Sequence, residues 1–165
     1  MSTKAMETYL NDHLAGSTLG VDLARRLCER TEGTPLHETL TWIAAEIEED
    51  RLTLTEVMSR LDASENPVKQ ATAWLGEKAS RLKLGELGGL IGANDDTYGL
   101  FLSLETLSLG VEGKLRFWLA LEHVAGDYDG LDPVELERLA DRARKQRDAL
   151  ERARLSAASD ALAAN

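Results

Sequence analysis

The chain has 165 residues, 43% of them hydrophobic and 29% charged, which is the balance of one globular unit long enough to bury a substantial core. Lys and Arg number 19 against 29 Asp and Glu, a net charge of −10, and such an excess repels phosphate backbones and anionic lipid surfaces, so neither nucleic acid nor membrane is expected as a partner. The single cysteine, Cys28, excludes an internal disulfide. No run of about 18 apolar residues and no apolar leader is present, so a cytoplasmic location is expected.

Three prolines punctuate the chain, and each stands where a helix is expected to begin. Thr34, Asn66 and Asp132 precede Pro35, Pro67 and Pro133, pairing a side chain suited to capping with the residue favoured in the first helical turn. Glu135 completes the capping-box spacing after Asp132. On this punctuation, and in the absence of period-two alternation, the predicted helices are 3–31, 35–62, a shorter one at 66–83, then 96–125 and 133–162. Gly85, Gly88, Gly89 and Gly92 predict a flexible turn or a broken helix between the third and fourth of these. They are not read as a phosphate loop, because no Gly-Lys-Ser/Thr follows and no strand precedes them.

Short turns join the first two long helices and the last two, whereas roughly 63–95 separates the hairpins. Two antiparallel hairpins joined by one long crossover carrying a fifth, shorter helix define an all-α, ferritin-like four-helix bundle. Residues 1–165 are accordingly read as a single domain.

The helical seams give the interior. The second helix reads Leu36, Leu40, Ile43, Ile47, Asp50, Leu54, Val57, Leu61, with Asp50 standing inside an otherwise apolar stripe. The first reads Tyr9, His13, Gly16, Gly20, Leu23, Leu27, where the glycines are expected to permit close approach. The 96–125 helix reads Leu100, Leu104, Leu107, Val111, Leu115, Trp118, flanked by Glu105, Ser108 and Glu112. The last helix reads Leu136, Leu139, Ala143, Gln146, Leu150, Ala153, Ala157. Folding each hairpin about its turn brings Asp50 level with Gly16, one turn from His13, and Gln146 level with Glu112. His13, Asp50, Glu112 and Gln146 are therefore the candidate binding residues, arranged in one or two polar layers. A buried carboxylate demands a partner, and His13 or Arg51 is expected to supply it.

The segments Tyr9-Leu10-Asn11-Asp12-His13-Leu14-Ala15-Gly16, Glu46-Ile47-Glu48-Glu49-Asp50, Trp74-Leu75-Gly76-Glu77-Lys78 and Arg81-Leu82-Lys83-Leu84, with Leu107-Ser108-Leu109-Gly110 and Gly113-Lys114, span most of the chain. In them it resembles the ferritin-like superfamily, and more narrowly its small bacterial members. That resemblance implies the bundle fold. Metal-binding members place a Glu on each of two helices and Glu-x-x-His on the other two. This chain has only His13, His37 and His123 and no such motif in the expected helices, so the resemblance implies a degenerate or absent di-metal site.

Two functional readings follow. The first is a non-catalytic bundle without a cofactor, acting through protein association as a homodimer, with Trp42, Leu52, Leu102 and Leu109 as apolar residues off the seams. The alternative is a metal-binding or oxidase-type protein holding iron, manganese or zinc at a nonstandard site of His13, Asp50, Glu105 and Glu112. A small-molecule pocket beside Gly16 and Gly20 is a third possibility. Cys28, without a visible basic pocket, reads as an inert thiol.

Overall fold

A computed structural model describes residues 3–65 and 96–163. The shorter helix expected at 66–83, its cap at Asn66, Trp74 and the glycine-rich segment all lie outside the described residues. Among the described residues there are four long α-helices and no strand. They are α1 (Lys4–Arg30), α2 (Leu36–Arg60), α3 (Asp96–His123) and α4 (Pro133–Leu162), with a 3-10 turn at Ala125–Asp127. No helix among the described residues is long and apolar enough to cross a membrane.

Local chemistry sets most of the helix ends. Thr3 Oγ1 accepts from the Met6 amide at 3.2 Å and caps α1. Asp132 accepts from the Val134 amide at 3.0 Å, with Pro133 in the first turn of α4, as its sequence predicts. The expected cap of α2 is different. Thr34 donates its hydroxyl to the Thr31 carbonyl at 2.7 Å, so α2 starts after Pro35 with no side-chain cap. Gly33, at φ 78°, turns the chain between α1 and α2 in a conformation that a Cβ disfavours.

Four pairs of helices pack together: α1 with α2, α3 with α4, α1 with α3, and α2 with α4. Side-chain contacts give their directions. His13 stacks on Phe117 while Arg30 lies against Gly99, so α1 and α3 are antiparallel. Gln146 bonds Glu46 while Arg60 bonds Glu135, so α2 and α4 are antiparallel too. It follows that α2 and α3 run in the same direction, with Arg60 at one end of the bundle and Asp96 at the other.

The core is divided. One apolar cluster holds Leu10, Leu14, Leu54, Val57, Met58, Leu115, Phe117, Trp118, Leu136 and Leu139. The other holds Val21, Leu27, Leu40, Ile43, Ile47, Leu104, Leu107, Val111 and Leu150. The seams read for α2, α3 and α4 are buried except for Leu36, Leu100 and Ala153, which are half-buried. That of α1 is shifted by a residue: Leu10, Leu14, Val21, Ala24 and Leu27 are buried. Tyr9, His13, Gly16, Gly20 and Leu23 form its half-buried edge instead, because the aliphatic stripe excludes more apolar surface from water.

Four glycines of the long helices do not serve close packing, contrary to the expectation for Gly16 and Gly20, whereas Gly99 lies against Arg30. A Cβ added to Gly16, Gly20, Gly110 or Gly113 meets nothing within 4 Å. The α1–α3 register nevertheless sets Gly16 level with Gly113 and Gly20 level with Gly110. At Gly130 the situation is reversed, since a Cβ there would lie 2.8 Å from the Arg60 carbonyl oxygen. Gly113→Ala is expected to raise stability by about 0.5–1 kcal/mol, the gain in helix propensity. Gly130→Ala is expected to lower it by roughly 1–3 kcal/mol through backbone displacement. Urea unfolding of the two variants checks both signs.

Candidate functional site

Between the two apolar clusters lies a layer of charged and polar side chains. On α2 the layer falls between Ile47 and Leu54, on α3 between Val111 and Leu115, and on α4 between Ala143 and Ala149. Asp50 is 2% exposed and Gln146 fully buried. Each sits where a strict alternation of three- and four-residue steps points a side chain inward.

Asp50 is held by two cations. Lys114 Nζ donates to its Oδ2 and Arg142 Nη2 donates to its Oδ1. Lys114 also donates to Gln146 Oε1 at 2.5 Å, and Gln146 Nε2 donates to Glu46 Oε2 at 2.8 Å. Arg142 Nη1 reaches outward to Glu49 Oε2 at 2.5 Å. A continuous chain, Glu49–Arg142–Asp50–Lys114–Gln146–Glu46, thus ties α2, α3 and α4 together. Burial pulls the Lys114 ammonium below the usual lysine pKa, with the Asp50 carboxylate working against that shift. For Arg142 burial also works to lower the pKa, but the Asp50 and Glu49 carboxylates outweigh it and the guanidinium stays cationic.

Of the four candidate residues, Asp50 and Gln146 meet through Lys114, and the other two lie elsewhere. His13 packs in an aromatic corner, edge-on to Tyr9 at 4.7 Å and stacked on Phe117 at 4.3 Å. Glu112 faces outward, accepting from Arg116 Nε at 2.8 Å and lying 3.6 Å from Arg147. The register placed Gln146 level with Glu112, but Glu112 projects from the outer side of that level and Lys114 from the inner. Glu105 pairs with Arg154 at 3.2 Å. The expected partners of Asp50 are corrected as well: Arg51 bonds Glu48 at 2.9 Å, and His13 is engaged by rings.

Lys114 and Arg142 were missed at the level of sequence, and for Lys114 a signal existed. Leu104, Leu107, Val111, Lys114, Trp118 and Leu121 keep the three-four alternation throughout, so Lys114 occupies a seam position as plainly as Asp50 does. Arg142, beside Ala143, reaches the layer from the seam's edge by its long side chain.

The donor set does not fit a metal centre. Both oxygens of the buried carboxylate already face cations, and a divalent ion beside Lys114 and Arg142 would add to their positive charge. Among the described residues no group of three or more His, Cys, Asp or Glu side chains is placed to hold a metal ion. What the arrangement does chemically is neutralise a buried aspartate from two neighbouring helices at once. Comparison with protein-family models, curated proteins and solved structures finds no match to this chain.

Removing Asp50 takes from buried Lys114 its carboxylate partner and leaves Arg142 with Glu49 alone. Asp50→Ala is therefore expected to destabilise the bundle by about 3–5 kcal/mol. The joint change Asp50→Leu, Lys114→Met, Arg142→Met and Gln146→Leu is expected to recover most of that loss, since an apolar layer carries no desolvation penalty. Denaturant midpoints of the single and quadruple variants decide the matter.

His13 gives a pH dependence with a definite sign. Burial lowers its pKa from 6.5 to about 4, so the unfolded chain holds the proton more tightly than the folded one. The stability contributed by neutral His13 is complete above pH 6.5 and declines as the pH falls towards 4. His13→Phe is expected to flatten that decline in urea midpoints measured at each pH.

Proposed function

We propose that the protein is a ferritin-like helical bundle whose role is non-catalytic and exercised through association with protein, first of all a second copy of itself, within the cytoplasm. The observation that carries this reading is the internal satisfaction of the mid-bundle layer. Lys114 and Arg142 occupy both oxygens of Asp50, at the depth where a metal-binding relative would gather carboxylates around metal ions. Protein side chains supply the positive charge there. The parallel course of α2 and α3 supports the ferritin-like part of the reading, because an up-down bundle with short turns has its second and third helices antiparallel.

The association part rests on the outer faces. Trp42, Leu52, Leu102 and Leu109 are 40%, 48%, 36% and 70% exposed. Trp42, Ala45, Glu49 and Leu52 recur at three- and four-residue steps along the outside of α2, and Leu102 and Leu109 lie two turns apart on α3. Large apolar side chains exposed on a helix face suit a protein interface, and α2 and α3, which are not one of the packed pairs, offer two separate faces of this kind.

Sedimentation velocity tests the proposal. The expected result is a dimer at micromolar concentration, with Leu109→Glu or Trp42→Glu shifting the population to monomer without lowering the melting temperature. A strict monomer at high concentration that recovers no partner from cells would sink the association reading. Stoichiometric iron, manganese or zinc in protein purified without chelators would overturn the non-catalytic one.

A further inference from the structure

Two buried N–H donors, Trp118 Nε1 and Arg142 Nε, have no hydrogen-bond partner among the described residues. They belong to neighbouring helices and share one level of the bundle. Lys114 meets Gln146 across the α3–α4 pair, and one turn further along α3 and one turn back along α4, in antiparallel register, bring Trp118 opposite Arg142. Trp118 is 1% exposed, and the Arg142 guanidinium is already fixed on its far side by Asp50 and Glu49. A buried donor left unpaired is costly, and such groups in folded proteins are satisfied by protein or by ordered water.

We infer that one internal water molecule binds between Trp118 Nε1 and Arg142 Nε, accepting a hydrogen bond from each. Charge selects water over an anion. Three carboxylates (Glu46, Glu49, Asp50) stand against two cations (Lys114, Arg142) in this layer, so a further negative charge would be repelled. A neutral acceptor with two lone pairs matches two donors, and its own protons are free to bond carboxylate or carbonyl oxygens nearby. The water extends the charged layer towards the apolar cluster that contains Trp118 and gives the indole at position 118 a role that a phenyl ring would not fill.

Water-proton magnetic resonance on the intact chain tests this. The expected result is a cross-peak from one long-lived water to both the Trp118 indole proton and the Arg142 Nε proton. In Trp118→Phe, water-oxygen relaxation dispersion should count one fewer long-lived internal water. An unchanged count, or a wild-type spectrum in which either proton shows no contact with bound water, overturns the inference. So does loss of the water signal on replacing a bulky sulfonate salt by chloride, which would identify the occupant as an anion. The wild-type measurement stands even where the variant fails to fold.

Discussion

The placement of Asp50 governs this molecule. A carboxylate at 2% exposure is tolerated only when opposite charge approaches it closely and its lone pairs are met. Here the two counter-charges come from different helices, Lys114 from α3 and Arg142 from α4. Aligning them fixes the axial position of α2 against α3 and α4. Hydrophobic seams alone would tolerate sliding by a turn, because leucine against leucine looks much the same at each repeat. A single interior ion triad does not. The apolar clusters supply most of the driving force for folding, whereas the charged layer selects which of several near-equivalent registers is adopted.

That division also explains what was legible in the sequence. The four long helices follow directly from their periodicity and punctuation, and the buried stripes of α2, α3 and α4 are those that the spacing of Leu, Ile and Val indicates. The stripe of α1 was displaced because Tyr9 and His13 are large enough to mimic core positions, yet they close over Phe117 from the edge. The α2 cap was misread because a threonine hydroxyl is both donor and acceptor. Thr34 uses its proton on the Thr31 carbonyl instead of accepting from the helix.

The candidate site was half legible. Asp50 and Gln146 stand out as polar breaks in apolar stripes, and both lie in the layer. Their connector, Lys114, was passed over because the apolar Leu115 beside it offered an alternative seam residue. Arg142 could not be found from periodicity, since a side chain of that length reaches inward from a position that points sideways. Glu112 shows the converse problem: knowing the height of a residue along a helix does not give its direction around the axis, and two arginines outside hold it there.

A hydrophilic partition across the middle of the bundle has a consequence for how sequence changes combine. Ile43 and Val57 lie on the same helix but in separate clusters, which have no buried residue in common among the described residues. Cavities opened at the two positions should therefore sum independently in their energetic effect, whereas paired changes within one half should couple through common packing. The two halves are in that sense separately tunable, and drift in one is insulated from the other by the ions between them.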